Sequence, residues 1–256
     1  MSDKHAWVRE GERPLVRTSE DWCAQVEAKG HWYLTDFLTP REEYLVNSVA
    51  VGRGLIVETF GGYAHAERRR ALLMPGEWYP QPEDYAISCL ELTSLEGPLR
   101  HKDVLGSVLG LGLQRKMLGD IAVVGTKAYV FVTDAMATFI YESLNRVGRS
   151  TVSVAKVTQA PELPAPDYEE MDVSLASLRL DAVVAHACHM SRAKAQAAVE
   201  RGDVTLNFVA ATNRDEIDQG DLLSVRGFGR VKILQTLGTT RRELTRVRVG
   251  ILRSNR

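Results

Sequence analysis

The sequence predicts an α+β protein of several domains. Three observations carry that reading. Helix-like periodicity dominates residues 1–78, and a β-α-β-β-α-β order follows over residues 79–160. A proline-rich acidic stretch, 161–176, then separates both from a basic segment, 177–256. With 45% hydrophobic and 25% charged residues in 256, the chain has the profile of folded protein and enough length for about two or three domains.

The N-terminal region is expected to be mostly helical. Thr39-Pro40-Arg41-Glu42 is a helix start. Thr39 can cap, Pro40 suits the first turn, and Glu42 can return a bond to the cap backbone. Tyr44, Leu45, Ser48 and Val49 then recur at helical spacing. In FGGYAHAERRR, Phe60–Arg70, the Gly61-Gly62 pair reads as a turn and Ala64–Leu73 as a helix carrying Arg68, Arg69 and Arg70. Three adjacent arginines point in three directions on a helix, so they read either as a solvated basic face or as a secondary phosphate contact.

Residues 79–160 change rhythm. DYAISCLELTS is a strand, HKDVLGSVLGL a helix, DIAVVG and AYVFVT a strand pair about Thr126-Lys127, Ala135–Val147 a helix and STVSVAKV a last strand. That order is the ferredoxin-like plait. AYVFVT is taken as an edge strand. Its Tyr129 and Phe131 share one face, and without basic neighbours they read as covered core before base-stacking rings.

The stretch PELPAPDYEEMD, 161–172, holds three prolines and five acidic residues and reads as a linker. It divides the chain by charge. From Arg179 to Arg256 there are 14 Lys+Arg against 8 Asp+Glu, a net of +6, whereas the remainder holds 32 − 14 = 18 basic and 33 − 8 = 25 acidic residues, a net of −7. A basic end on an acidic body points to a polyanion partner for that end.

The basic segment opens with two short helices. Ser177 is a candidate cap, and Leu180, Val183, Val184 and Ala187 form one apolar stripe. Ser191 caps a second helix that buries Ala195, Ala198 and Val199 and ends at Gly202 in a left-handed conformation. Val204–Asn207 and Leu222–Val225 are strands. Arg192 and Lys194 stand in the first turn of the second helix, where free N–H groups already favour anions. Cations there oppose the helix dipole by about 0.3–1 kcal/mol each, so a purely structural helix would prefer acids. Lys194 and Arg201, seven apart, share a flank and can follow one phosphate backbone.

RLD, SRAKAQ, GDVTLN and GDLLSV, at these spacings, resemble the S4 RNA-binding domain over about 50 residues. With FGGYAHAERRR, LRHKDVLGSVLGLGLQRKMLGDI and the ending RGFGRVKIL, most of the chain resembles the YlmH family of bacterial S4-domain proteins, whose middle domain is like an RNA-recognition motif (RRM). The first 35 or so residues add little to the match. The resemblance implies Arg179, Ser191, Arg192, Lys194 and Asn207 as RNA contacts; Arg201 is added from the helical flank.

RGFGRVKI, Arg226–Ile233, is itself similar to the base-stacking octapeptide of an RRM. Only 23 residues follow Ile233, too few for the helix and strand an RRM still needs, so the element reads as a hairpin extension of the S4-like module. Arg226, Arg230 and Lys232 then alternate along one strand face, opposite Arg246 and Arg248 on the return strand, as a basic β-ribbon beside the two-helix site. Phe228 reads either as a stacking ring or as a turn residue packed on its own ribbon.

The start, MSDKHAWVREGERP, lacks the apolar core of a secretory signal, and no apolar run approaches the roughly 20 residues of a membrane helix, so a cytoplasmic, membrane-free monomer is expected. Cys23, Cys89 and Cys188 are too sparse for a disulfide framework. Cys188 between His186 and His189 lacks a fourth metal ligand and reads as a buried thiol. No cofactor, metal or catalytic constellation is expected.

The resemblance implies a non-catalytic protein that binds rRNA of the large ribosomal subunit, with peptidyl-tRNA, in the rescue of stalled translation. A link to cell division is the second role it suggests. An RNA-modifying enzyme is the alternative class, because Arg179-Leu180-Asp181 resembles the motif carrying the catalytic Asp of pseudouridine synthases. The 75 residues after Asp181 are too few for such a catalytic domain. VGRGLIVETFGG lacks the strand–glycine loop–helix context of a methyltransferase. A structural ribosomal protein fits poorly with the acidic body.

Overall fold

The computed structural model describes residues 8–158, 162–163, 168–240 and 243–253. Met1–Pro164 form one compact unit and Ala165–Arg256 a second.

The first unit begins with α1 (Arg13–Lys29), β1 (Tyr33–Leu38), α2 (Pro40–Val51), β2 (Ile56–Phe60) and β3 (Arg69–Met74). The expected capping box is present at α2: Thr39 Oγ1 accepts from Glu42 N at 3.3 Å, and Glu42 Oε2 accepts from Thr39 N at 2.6 Å. The mostly helical expectation fails here. The three strands form an antiparallel sheet of order β1-β3-β2, and the helix expected over Ala64–Leu73 is a loop running into β3. Arg, Ala and Leu favour a helix intrinsically, but β3 is the central strand and Arg70–Met74 are all buried, so tertiary packing overrides propensity.

The same unit continues with β4 (Ile87–Ser94), α3 (His101–Gly110), β5 (Leu118–Val124), β6 (Lys127–Thr133), α4 (Asp134–Ser143), β7 (Arg146–Val147) and β8 (Ser150–Val157). The sheet order β5-β6-β4-β8-β7, antiparallel throughout, keeps the anticipated β-α-β-β-α-β sequence with β7 as an added edge. The strand AYVFVT lies between two others as β6, not at an edge. Leu90, Leu92, Ala128, Val130 and Val132 face α3 and α4 in one core.

The two sheets of this unit meet at the FGGYAH loop. Tyr63 stacks on Phe131 with ring centroids 4.9 Å apart. A Cβ on Gly62, whose φ is +95°, would stand 2.4 Å from that same ring, so the glycine is required by the contact. Asp120 accepts from Tyr63 Oη (2.9 Å), Glu67 N (2.6 Å) and Arg68 N (3.2 Å).

The second unit holds β9 (Glu169–Leu175), α5 (Leu180–Ala187), α6 (Arg192–Glu200), β10 (Val204–Leu206), β11 (Val209–Ala210), β12 (Leu222–Val225), β13 (Gly229–Thr239) and β14 (Thr245–Arg253). They make one sheet of order β11-β10-β12-β13-β14-β9. Its inner face, with Val231, Ile233, Val247, Val249 and Leu223, packs on Leu180, Val183, Val184, Ala195 and Val199 of the two helices. The expected linker, 161–176, is corrected in part, because Glu169–Leu175 is a strand hydrogen-bonded to β14; residues 161 and 164–167 lie outside the described residues. α5 is capped at Arg179, not at Ser177.

Candidate nucleic-acid interface

The second helix of the C-terminal unit offers a prepared anion site. Ser191 Oγ accepts from Lys194 N at 3.3 Å and so caps α6. Arg192 then sits in the first turn with its guanidinium 54% exposed. It is held by Asp181, which is fully buried: Arg192 Nε donates to Oδ2 at 3.0 Å and a terminal nitrogen to Oδ1 at 3.3 Å. Gln196 Nε2 donates to Oδ2 at 2.8 Å and Arg179 Nε to Oδ1 at 3.3 Å. Burial alone would raise the Asp181 carboxyl, but the hydrogen bonds from Arg192, Gln196 and Arg179 outweigh it and hold the group at about 2. Asp181 is therefore ionised at neutral pH and fixes two arginines by their Nε edges, with Arg179 also donating to Asn213 O at 2.8 Å. Lys194 is exposed and, among the described residues, makes no ion pair.

Asp181 is the residue that sequence reasoning underrated. The signal was present: one acid in the otherwise apolar stretch Leu180–Ala185, preceded by Arg179 and followed by Arg192 eleven residues on. A charge is buried in such a helix only when partners reach it.

The other expected contacts divide. Arg201 pairs with Asp203 at 2.9 Å, and Arg226 reaches the same carboxylate at 3.6 Å, so they form a cluster at the far end of α6. Arg226 lies in the turn between β12 and β13 and is not part of the strand alternation. Phe228 packs on the core, with the Arg253 guanidinium 5.2 Å from its ring centre; its reading as a packed turn residue is the one observed. Arg230 and Lys232 do share a face. It is the face away from the helices, because Val231 and Ile233 between them enter the helix-covered core. The ribbon is thus behind the two-helix site, not beside it. Across that outer face, Arg246 and Arg248 are matched by Asp172 of β9 at 2.7 and 2.8 Å. Asn207 turns its amide inward: Nδ2 donates to the buried Asp221 at 2.8 Å, and Oδ1 accepts from Leu222 N at 3.0 Å. Its side chain anchors the fold through one amide N–H and the amide oxygen.

In the first unit, Arg68 and Arg70 are corrected as phosphate contacts. Both are buried and donate to main-chain carbonyls: Arg68 to Leu118 and Phe37 (3.1 Å each), Arg70 to Thr35 (2.7 Å), Tyr85 (2.7 Å) and Ala86 (3.0 Å). Burial lowers both guanidinium pKa values from their ordinary value. On the middle sheet, Phe131 is covered by Tyr63, and Lys127 is paired with Glu91 at 2.9 Å. Burial pushes the Cys188 thiol up to about 12, so it stays protonated at neutral pH.

The family model described as "Putative RNA-binding domain in YlmH" matches residues 80–160, the β4–β8 plait. The ribosome-associated protein quality control protein P2 of Bacillus subtilis (strain 168) is 33% identical over 251 residues, covering 96% of this chain and 98% of that protein. The chain belongs to the YlmH family. A solved structure, the cell division protein YlmH of Streptococcus pneumoniae, aligns with a TM-score of 0.55 at 26% identity, over 59% of this chain and 93% of that one. The relative's name places that protein in ribosome-associated quality control, and the family model describes its matched domain as putatively RNA-binding. Within this YlmH-family chain, the second unit carries the exposed, oriented cations described above. No helix among the described residues is long and apolar enough to cross a membrane.

Proposed function

We propose that this chain is a non-catalytic factor that binds rRNA of the large ribosomal subunit, alongside peptidyl-tRNA, in the cytoplasmic rescue of stalled translation, and that its C-terminal unit is an S4-type RNA-binding module. One observation carries the assignment to that module: the Asp181 carboxylate holds Arg179 and Arg192 at a capped helix N-terminus beside the exposed Lys194. Such a site grips phosphates by shape and charge, which suits structured RNA better than base-edge reading. The curated relative's role in ribosome-associated quality control supports the pathway. The enzyme alternative is disfavoured by Asp181 itself. It has no exposed surface, and both carboxylate oxygens accept hydrogen bonds from neighbouring side chains, so it offers no nucleophile to a substrate. A division-linked role remains the second reading, because the solved relative carries that name.

Co-sedimentation across a sucrose gradient tests the proposal. We expect the protein to travel with free large subunits at low salt and to leave them as salt rises. Protein found only at the top of the gradient in both salts would overturn the reading.

A further inference from the structure

The two-residue turn between β10 and β11 carries an unusual residue. Leu206 pairs with Val209, so Asn207 and Phe208 are the two central positions of a hairpin, and both have positive φ, 51° and 69°. That is the pattern of a type I′ turn, whose second position belongs to Gly because any Cβ is strained there. A bulky side chain at such a φ is an outlier. Asn207 has an internal reason for its place in the amide bonds to Asp221 and Leu222. Phe208 has none among the described residues: it is 45% exposed and the next residue, Val209, 69% exposed. Phe228, by contrast, is packed against the core of the same unit. The fold therefore holds a half-exposed aromatic residue on a strained backbone at the tip of the β10–β11 hairpin.

We infer that Phe208 is a base-stacking contact, with an unpaired RNA nucleotide as its ligand. The inference rests on the RNA-binding reading above and deepens it. Asn207 N donates to Leu222 O, and Leu222 is paired with Lys232. The Lys232 backbone thus lies two strands away, about 10 Å from the turn. Base–aromatic stacking is sequence-tolerant, since every base has a π-face. The basic charge of the segment, 14 Lys+Arg against 8 Asp+Glu from Arg179 onward, fits RNA over a cationic protein partner.

The test uses the full chain, with purified large ribosomal subunits and deproteinised large-subunit rRNA as probes. Phe208→Gly removes both the ring and the strain. Its melting temperature should equal or exceed that of the wild type, while its affinity for both probes falls about tenfold. The logarithmic salt slope should stay unchanged, because stacking releases no counterions. Phe208→Asn, which tolerates this φ, should behave alike, and Phe208→Tyr should retain binding. Wild-type affinity in both Gly and Asn variants would overturn the stacking role alone. A loss confined to intact subunits would show that the tip docks on ribosomal protein, which also overturns it. A wild-type chain that binds neither probe would overturn the RNA-binding reading as well.

Discussion

Two groups of arginines in this chain are alike in sequence and opposite in use. Arg68 and Arg70 belong to a run of three in the first unit, where a basic patch would be sought first. Both are buried, at 5% and 9% exposure, and donate into main-chain carbonyls that join β3 to its neighbours. Arg179 and Arg192 of the second unit are separated by twelve residues, yet meet on one buried carboxylate and remain half in water. Arginine density therefore says little. What decides is whether the guanidinium fork ends in the protein or is aimed outward from a fixed edge.

That contrast can be broken from either side. The largest effect is expected at Arg70→Ala. Three carbonyls lose a charged donor inside the fold, and unfolding in denaturant should show about 3–4 kcal/mol of lost stability. RNA affinity per folded molecule should not change; a selective loss of binding would return this arginine to the functional group. Next comes the double variant Arg192→Ala, Lys194→Ala. Affinity for large subunits should fall by roughly a hundredfold, about 2.7 kcal/mol, and the logarithmic salt slope by about 2. Gln196 and Arg179 still serve Asp181 in this variant, so circular dichroism should report an intact fold. Unchanged binding would refute the site. The smallest effect is expected at Arg248→Ala, since Asp172 already neutralises that side chain. A loss of binding under twofold would sharpen the division between paired and presented cations, and a large loss would blur it.

Much of this was legible beforehand. The strand–helix order of residues 87–157 follows from period-two and helical patterning that packing does not contradict. The Thr39 cap and the left-handed Gly202 (φ +74°) follow from local chemistry alone. The misreadings share one cause, contacts between residues distant in sequence. Ala64–Leu73 has helical propensity, but a central strand position claims its end. Alternation correctly put Arg230 and Lys232 on one face; which face the helices would cover is set by Val231 and Ile233 joining the core. The amide of Asn207 could be located only once Asp221 was in place. At Phe208 the surprise runs the other way, since a rule of turn chemistry is broken with no compensation inside the fold.

The pairing of β9 with β14 has a consequence for the birth of the protein. Among the described residues β9 is an outer strand hydrogen-bonded to β14, and Leu175 waits for Thr245. Val173 and Leu175 can enter the core only after the final strand has been synthesised. During elongation the first unit can fold behind the ribosome as its residues emerge. The second must hold an unmatched strand edge until the end, an exposed template for wrong pairing. A chain cut short before Thr245 would carry a complete first unit and an unclosed second one, so the ability to grip RNA would report that β14 is in place.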